Sequence, residues 1–173
     1  MVDKSYLLRI FPDIRQIKSR PLQARVIDVW IEAARQGDWA RIDHIPFTLL
    51  IKTTKSLIEH TKAVTRMAMA LAKARTDLDM DIIIAGGICH DVGKLLEYRP
   101  SGAHGKITKS DYGKRVRHPV SGAALAHEVG LPREVIHIIA AHSEEGELVV
   151  RSKEAIVIHH CDFVDFEIEK LKS

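Results

Sequence analysis

The run Ile82-Ile83-Ile84-Ala85-Gly86-Gly87-Ile88 is apolar on every side. A helix without a polar face has to be surrounded by protein, so this stretch predicts the central, buried helix of the fold. Gly86 and Gly87 each cost about 1 kcal/mol of helix propensity relative to alanine. Their placement predicts close approach by a neighbouring helix. The run leads directly into Cys89-His90-Asp91-Val92-Gly93-Lys94. An imidazole, a carboxylate and an ammonium are therefore carried to the end of the most buried element, where they are expensive unless they coordinate something. A histidine followed by an aspartate suits a divalent transition metal, or a metal pair bridged by the carboxylate. Lys94, at i+3 from Asp91 and i+4 from His90, faces the same cavity if the helix continues.

The remaining pattern is helical. Ser5–Ile17 reads as a short helix or two turns interrupted by Pro12. Leu22–Gln36 is amphipathic, with Leu22, Val26, Val29, Trp30 and Ala33 on one stripe and Gly37 as the stop. Asp38–Pro46 reads as a connection or short helix. Thr53–Arg75 predicts a long helix with His60, Val64, Met67 and Leu71 inward. Asp79 is the expected cap of a helix reaching Glu97. Pro119–Val129, Arg133–His142 and Lys153 to about Leu171, capped by Ser152, complete the set. Tyr98–Arg117 has no periodicity and reads as a long loop; Ser143–Val150 reads as a polar turn. No strand signal stands out, and the expectation is a single all-α domain of six to seven helices.

Charge and composition give little support to several classes of partner. The net charge of +3 is too small to argue for nucleic acid. It is unevenly placed: Arg99–Arg117 holds six basic residues and one acid, +5, leaving −2 elsewhere. No run of eighteen apolar residues predicts a membrane span. The first residues lack the apolar core of a signal peptide. Cys89 and Cys161 read as reduced thiols in a cytoplasmic protein. Histidine is unusual at ten in 173 residues.

A lone histidine is more often structural than a ligand, so the set must be weighed together. His60 falls on the inward side of its helix. His90 and Asp91 end the central helix, His118 precedes Pro119, and His142 ends a helix whose inward face is Val135, Ile138 and Ile139. Asp162 follows Ala155-Ile156-Val157-Ile158-His159-His160-Cys161 and needs compensation if buried. Six His and Asp ligands from five helices or helix ends suit one metal, or two sharing Asp91. His44, His104, His127 and His137 read as bystanders. His159 or His160 would stand behind Asp162, and Asp165 is its rival one turn on.

The order His60, His90-Asp91, His118, His142, Asp162 resembles the HD-domain superfamily of metal-dependent phosphohydrolases. Glu59-His60, Ala85 to Lys94, His118-Pro119 with Ser121-Gly122-Ala123, Ala140-Ala141-His142 and His159-His160-Cys161-Asp162 all look like blocks of that family, spanning about Thr54 to Asp165. The resemblance implies a compact helical HD domain over 51–173 with residues 1–50 as a helical extension packed on it. It implies metal held by His60, His90, Asp91 and Asp162, and a second metal through His118 and His142 with Asp91 bridging. The expected cofactor is thus two divalent ions from among Fe, Mn, Co, Ni, Zn and Mg.

The implied activity is hydrolysis of a phosphate ester, a nucleotide or similar small phosphorylated molecule, by a metal-bound hydroxide. Asp91 and Lys94 are the catalytic candidates. Lys94, Lys114, Arg115 and Arg117 are candidates for binding the phosphate. Ser-Glu-Glu-Gly after His142 departs from the Gly-Tyr-Pro signature of cyclic-di-GMP phosphodiesterases. The rival expectation is a di-iron oxygenase of the same superfamily acting on a small anion.

Overall fold

Helix α4 (Met80–Cys89) buries every residue from Ile83 to Cys89. The computed structural model, which describes residues 1–101 and 106–172, surrounds it with α2 (Arg20–Gln36), α3 (Leu57–Ala74), α7 (Arg133–Ala141) and α8 (Lys153–Lys170). A methyl group on Gly87 would meet the Thr65 backbone of α3 at 3.0 Å, and one on Gly86 would lie 2.5 Å from Ile138 of α7. Both glycines thus let neighbouring helices approach more closely than alanine would permit.

The flanking helices start where their capping chemistry says they should. Ser56 accepts the amide of Glu59 while the Glu59 carboxylate takes the amide of Ser56, a reciprocal capping box that starts α3. Thr53–Lys55, expected as helix, instead lead into it. The buried stripe of α3 includes Leu57, His60, Val64 and Ala68, while Leu71 is exposed and Met67 half-buried. Asp79 caps α4 through the amides of Asp81 and Ile82. Ser152 caps α8 through the amide of Ala155. All five residues of the α2 stripe are buried as expected.

The N-terminal fifty residues supply core. After α1 (Lys4–Ile10) and a 3-10 turn (Pro12–Gln16), α2 lays Trp30 against Phe11, ring centroids 5.0 Å apart. The Trp30 indole N–H donates to the Ile88 carbonyl at 3.2 Å, and that of Trp39 to the Leu95 carbonyl at 2.7 Å. Two tryptophans thereby pin the chain on both sides of His90-Asp91. Trp30→Phe removes the first bond and should lower the unfolding free energy by about 1–3 kcal/mol, the cost of an unpaired buried acceptor, measured by urea denaturation.

Two expectations need correction. The helix from Asp79 does not run to Glu97. It ends at Cys89, turns through His90–Gly93, and resumes as the single turn α5 (Lys94–Glu97). Gly93 permits this, because its Cα packs against the start of α6 (His118–Glu128) with no room for a side chain. The long loop is also partly ordered: β1 (Tyr98–Ser101) pairs antiparallel with β2 (Lys106–Lys109), Tyr98 opposite Lys109. β1 is mostly exposed and β2 mostly half-buried, so no apolar alternation marks them in the sequence. His104 and its neighbours 102, 103 and 105 lie outside the described residues. Asp38–Pro46 forms turns, and Glu144–Leu148 a 3-10 turn after α7. With seven α-helices of seven residues or more, the single turn α5 and one hairpin among the described residues, the chain is all-α as expected. No described helix is long and apolar enough to cross a membrane.

Candidate metal centre

Four imidazoles converge on one carboxylate. Asp91 Oδ2 lies 3.5 Å from Nε2 of His60 and 3.5 Å from Nε2 of His90. Its other oxygen, Oδ1, lies 3.2 Å from Nε2 of His118 and 3.6 Å from Nε2 of His142. Two ligand triads, His60-His90-Asp91 and Asp91-His118-His142, thus share Asp91, and all five side chains are buried. They come from α3, the turn after α4, the first residue of α6 and the C-terminal cap of α7. Asp162 on α8 joins from the cleft side, with Oδ1 3.0 Å from His60 Nε2.

Each ring is oriented by its other nitrogen. A carbonyl or carboxylate oxygen only accepts, so Nδ1 carries the proton wherever it meets one. His90 Nδ1 donates to the Gly87 carbonyl at 2.7 Å, and His142 Nδ1 to the Ile139 carbonyl at 2.8 Å. His118 Nδ1 donates to Glu97 Oε2 at 2.8 Å, and His60 Nδ1 to Asp165 Oδ2 at 2.7 Å. Every Nε2 is thereby turned to Asp91. His142 Nε2 is buried with no hydrogen-bond partner. Nε2 of His60 and His90 face each other at 3.3 Å. An orphaned buried nitrogen and two opposed ring nitrogens around a carboxylate are the environment a divalent cation would satisfy, so the residues present fit the expected metals.

The electrostatics agree. Burial would raise the Asp91 carboxyl, but Lys94 and His90 beside it hold it well below the usual carboxylate range. Burial would lower the Lys94 ammonium, yet Asp91 raises it; Lys94 Nζ donates to Asp91 Oδ2 at 2.6 Å and to the Phe47 carbonyl. Burial pushes His118 down to about 4 despite Glu97, so the ring is neutral near pH 7, the form that binds metal. His60 is the exception: burial is outweighed by Asp162 and Asp165, which bracket the ring and raise it.

Two further carboxylates, Asp165 and Glu97, support the ligands. Asp165, the expected rival to Asp162, instead braces His60 and is itself held by Lys55 Nζ at 2.6 Å and 2.7 Å. Its i+3 spacing from Asp162 on α8 was the available signal. Glu97 accepts both the amide and Nδ1 of His118 and pairs with Lys109 at 2.9 Å. His159 does not reach Asp162; its Nδ1 donates to the His142 carbonyl at 2.7 Å. Asp165→Asn should weaken metal binding about 10- to 100-fold while the fold persists, the usual cost of losing a carboxylate behind a histidine ligand; competition against a fluorescent chelator measures it.

A cleft of about 140 Å³ opens above this centre, with Asp91, Lys94, His118 and Asp162 in its lining. Lys109 and Arg117 also line it. Arg117 Nε sits 3.3 Å from Glu145 Oε1. Lys114 and Arg115, expected with Arg117, are exposed and outside the lining, Lys114 pairing with Asp111 at 2.8 Å. The hairpin brings Lys109 to the cleft where the sequence pointed to those two.

A helical protein with a histidine/aspartate centre that could hold divalent metal is the class that fold and site define. Residues 57–166 match the family model of the HD domain, and the chain belongs to that family. It is 31% identical over 124 residues to dihydroneopterin 2′,3′-cyclic phosphate phosphodiesterase of Methanocaldococcus jannaschii, covering 65% of this chain and 47% of that protein. It is 27% identical over 110 residues to ribonuclease Y of Acidothermus cellulolyticus, covering 64% of this chain and 19% of that one. The match thus spans about half or less of these relatives' own lengths. No solved structure shows a significant match to this chain.

Proposed function

We propose that the chain hydrolyses a small phosphodiester at two divalent metal ions that share Asp91. The observation that carries this reading is the convergence of four imidazole Nε2 atoms on the two oxygens of one buried carboxylate. His60, His90 and Asp162 would hold one ion, and His118 and His142 the other. Bound there, the ions would supply Lewis acidity and lower the pKa of water.

The protein's own part is positioning and charge. Asp91 belongs to both triads and keeps its negative charge because Lys94 sits beside it. Lys94, with Lys109 and Arg117 in the same lining, places positive charge where a phosphate gains negative charge during displacement. Glu97 and Asp165 fix the rings of His118 and His60 so that the ligand nitrogens need no rearrangement. The diester is preferred to the monoester because the relatives above carry phosphodiesterase and ribonuclease names.

The test is turnover by metal-stripped protein reloaded with Mn²⁺ under argon, given 2′,3′-cyclic AMP and a panel of phosphodiesters in ¹⁸O-labelled water. Label in the phosphomonoester product, without any need for O₂, is the expected result. Absence of turnover across the panel, or turnover that requires O₂, overturns the proposal and in the second case moves it to the oxygenase.

A further inference from the structure

The cleft has two chemically different sides. Tyr98, Lys109 and Arg117, from the hairpin and the residue before α6, form the polar one. Leu49 and Leu50, which precede α3, and Phe163 and Phe166 of α8 form an apolar one. Leu50 is 73% exposed, and Leu49 is also exposed. Large apolar groups left open beside a charged floor are the usual mark of a surface that a ligand covers.

The phenyl rings on this side are braced from behind. Phe166 packs edge-on against Phe47, centroids 6.1 Å apart, and Phe47 in turn packs on the His60 ring at 4.7 Å. Phe163 lies 4.6 Å from the His159 ring, whose Nδ1 is tied to the His142 carbonyl. The aromatic side is therefore held in register with the metal centre, so a group resting on it sits at a fixed distance from a phosphate on the floor. Rings already ordered by packing lose little freedom on binding.

Resting on the phosphodiester reading above, we propose that Leu50, Phe163 and Phe166 form a subsite for a flat heterocyclic ring carried by the substrate, and that this side sets substrate preference. Every aromatic heterocycle has a π-face, so stacking on phenyl groups selects for a flat ring without selecting one base. The class of substrate is then a phosphate ester with a planar heterocycle, rather than an alkyl or sugar phosphate. The cations across the cleft take the phosphate oxygens.

Phosphonates, whose P–C bond resists hydrolysis, separate recognition from turnover. Mn²⁺-loaded protein is titrated by calorimetry with methylphosphonate, hexylphosphonate and the phosphonate analogue of AMP. The AMP analogue should bind about 10- to 100-fold more tightly than either of the others, the range stacking on an aromatic side chain provides. Phe163→Ala and Leu50→Ser should each reduce the ratio of AMP-analogue to methylphosphonate affinity several-fold. Leu50 is exposed enough that its variant folds even if Phe163→Ala does not. Equal affinity for the AMP analogue and methylphosphonate overturns the subsite, as does hexylphosphonate binding as well as the AMP analogue, or a ratio unchanged in the folded variants. An intact ratio in a protein that hydrolyses nothing supports the subsite and removes the proposed reaction.

Discussion

Asp91→Ala should empty the chain of metal and abolish hydrolysis. The carboxylate belongs to both ligand triads, so its loss removes one donor from each at once. Activity should fall by more than about 10³-fold, the upper end of what one electrostatic group contributes. The metal-free protein should also be weakened, because Lys94 Nζ loses its partner at 2.6 Å while remaining buried. An uncompensated buried charge of this kind costs about 3–5 kcal/mol. Metal analysis, initial rates and urea denaturation read the three effects. His127→Ala, at an exposed position on α6, should change none of them.

Gly93→Ala should damage the same centre without touching a ligand. A Cβ at this position would lie 2.1 Å from the His118 carbonyl oxygen, 2.7 Å from the Gly122 amide nitrogen and 3.0 Å from the Gly122 Cα. All three are backbone atoms, so no side chain can rotate away and the start of α6 has to retreat. His118 is the first residue of α6 and moves with it. We expect a loss of about 3 kcal/mol or more, at or beyond the usual cost of overpacking. Metal content should drop to about half that of the wild type, because only the triad containing His118 is disturbed. Thermal unfolding and metal analysis on the same sample check both parts. A variant with wild-type stability and full metal content would mean that α6 is not held by this contact.

The centre was legible in the sequence because its parts sit on, or at the ends of, strongly patterned helices. An apolar run ending in His90-Asp91, a histidine on the inward stripe of α3 and another closing α7 are local patterns. The structure brings each of these side chains to Asp91. The supporting groups were not legible, because they depend on contacts between distant segments. Lys55 and Asp165 are 110 positions apart, and Glu97 reaches His118 only because the chain turns at Gly93. The same turn explains which cations of the basic segment line the cleft. With the helix stopping at Cys89, the chain re-enters as a hairpin that delivers Lys109 to the cleft and leaves Lys114 and Arg115 in solvent. The isolated Ile107-Thr108 pair, flanked by lysines, was too short a β-branched signal against the punctuation of Pro100 and Gly102.

Joining two metal ions through the single Asp91 carboxylate would couple their spins. Electron paramagnetic resonance of the protein loaded with Mn²⁺ under argon tests it most directly. A shared carboxylate predicts an exchange-coupled spectrum from about two ions per chain, collapsing in Asp91→Ala. The spectrum of isolated ions at full loading, or a coupled spectrum that survives Asp91→Ala, would contradict it.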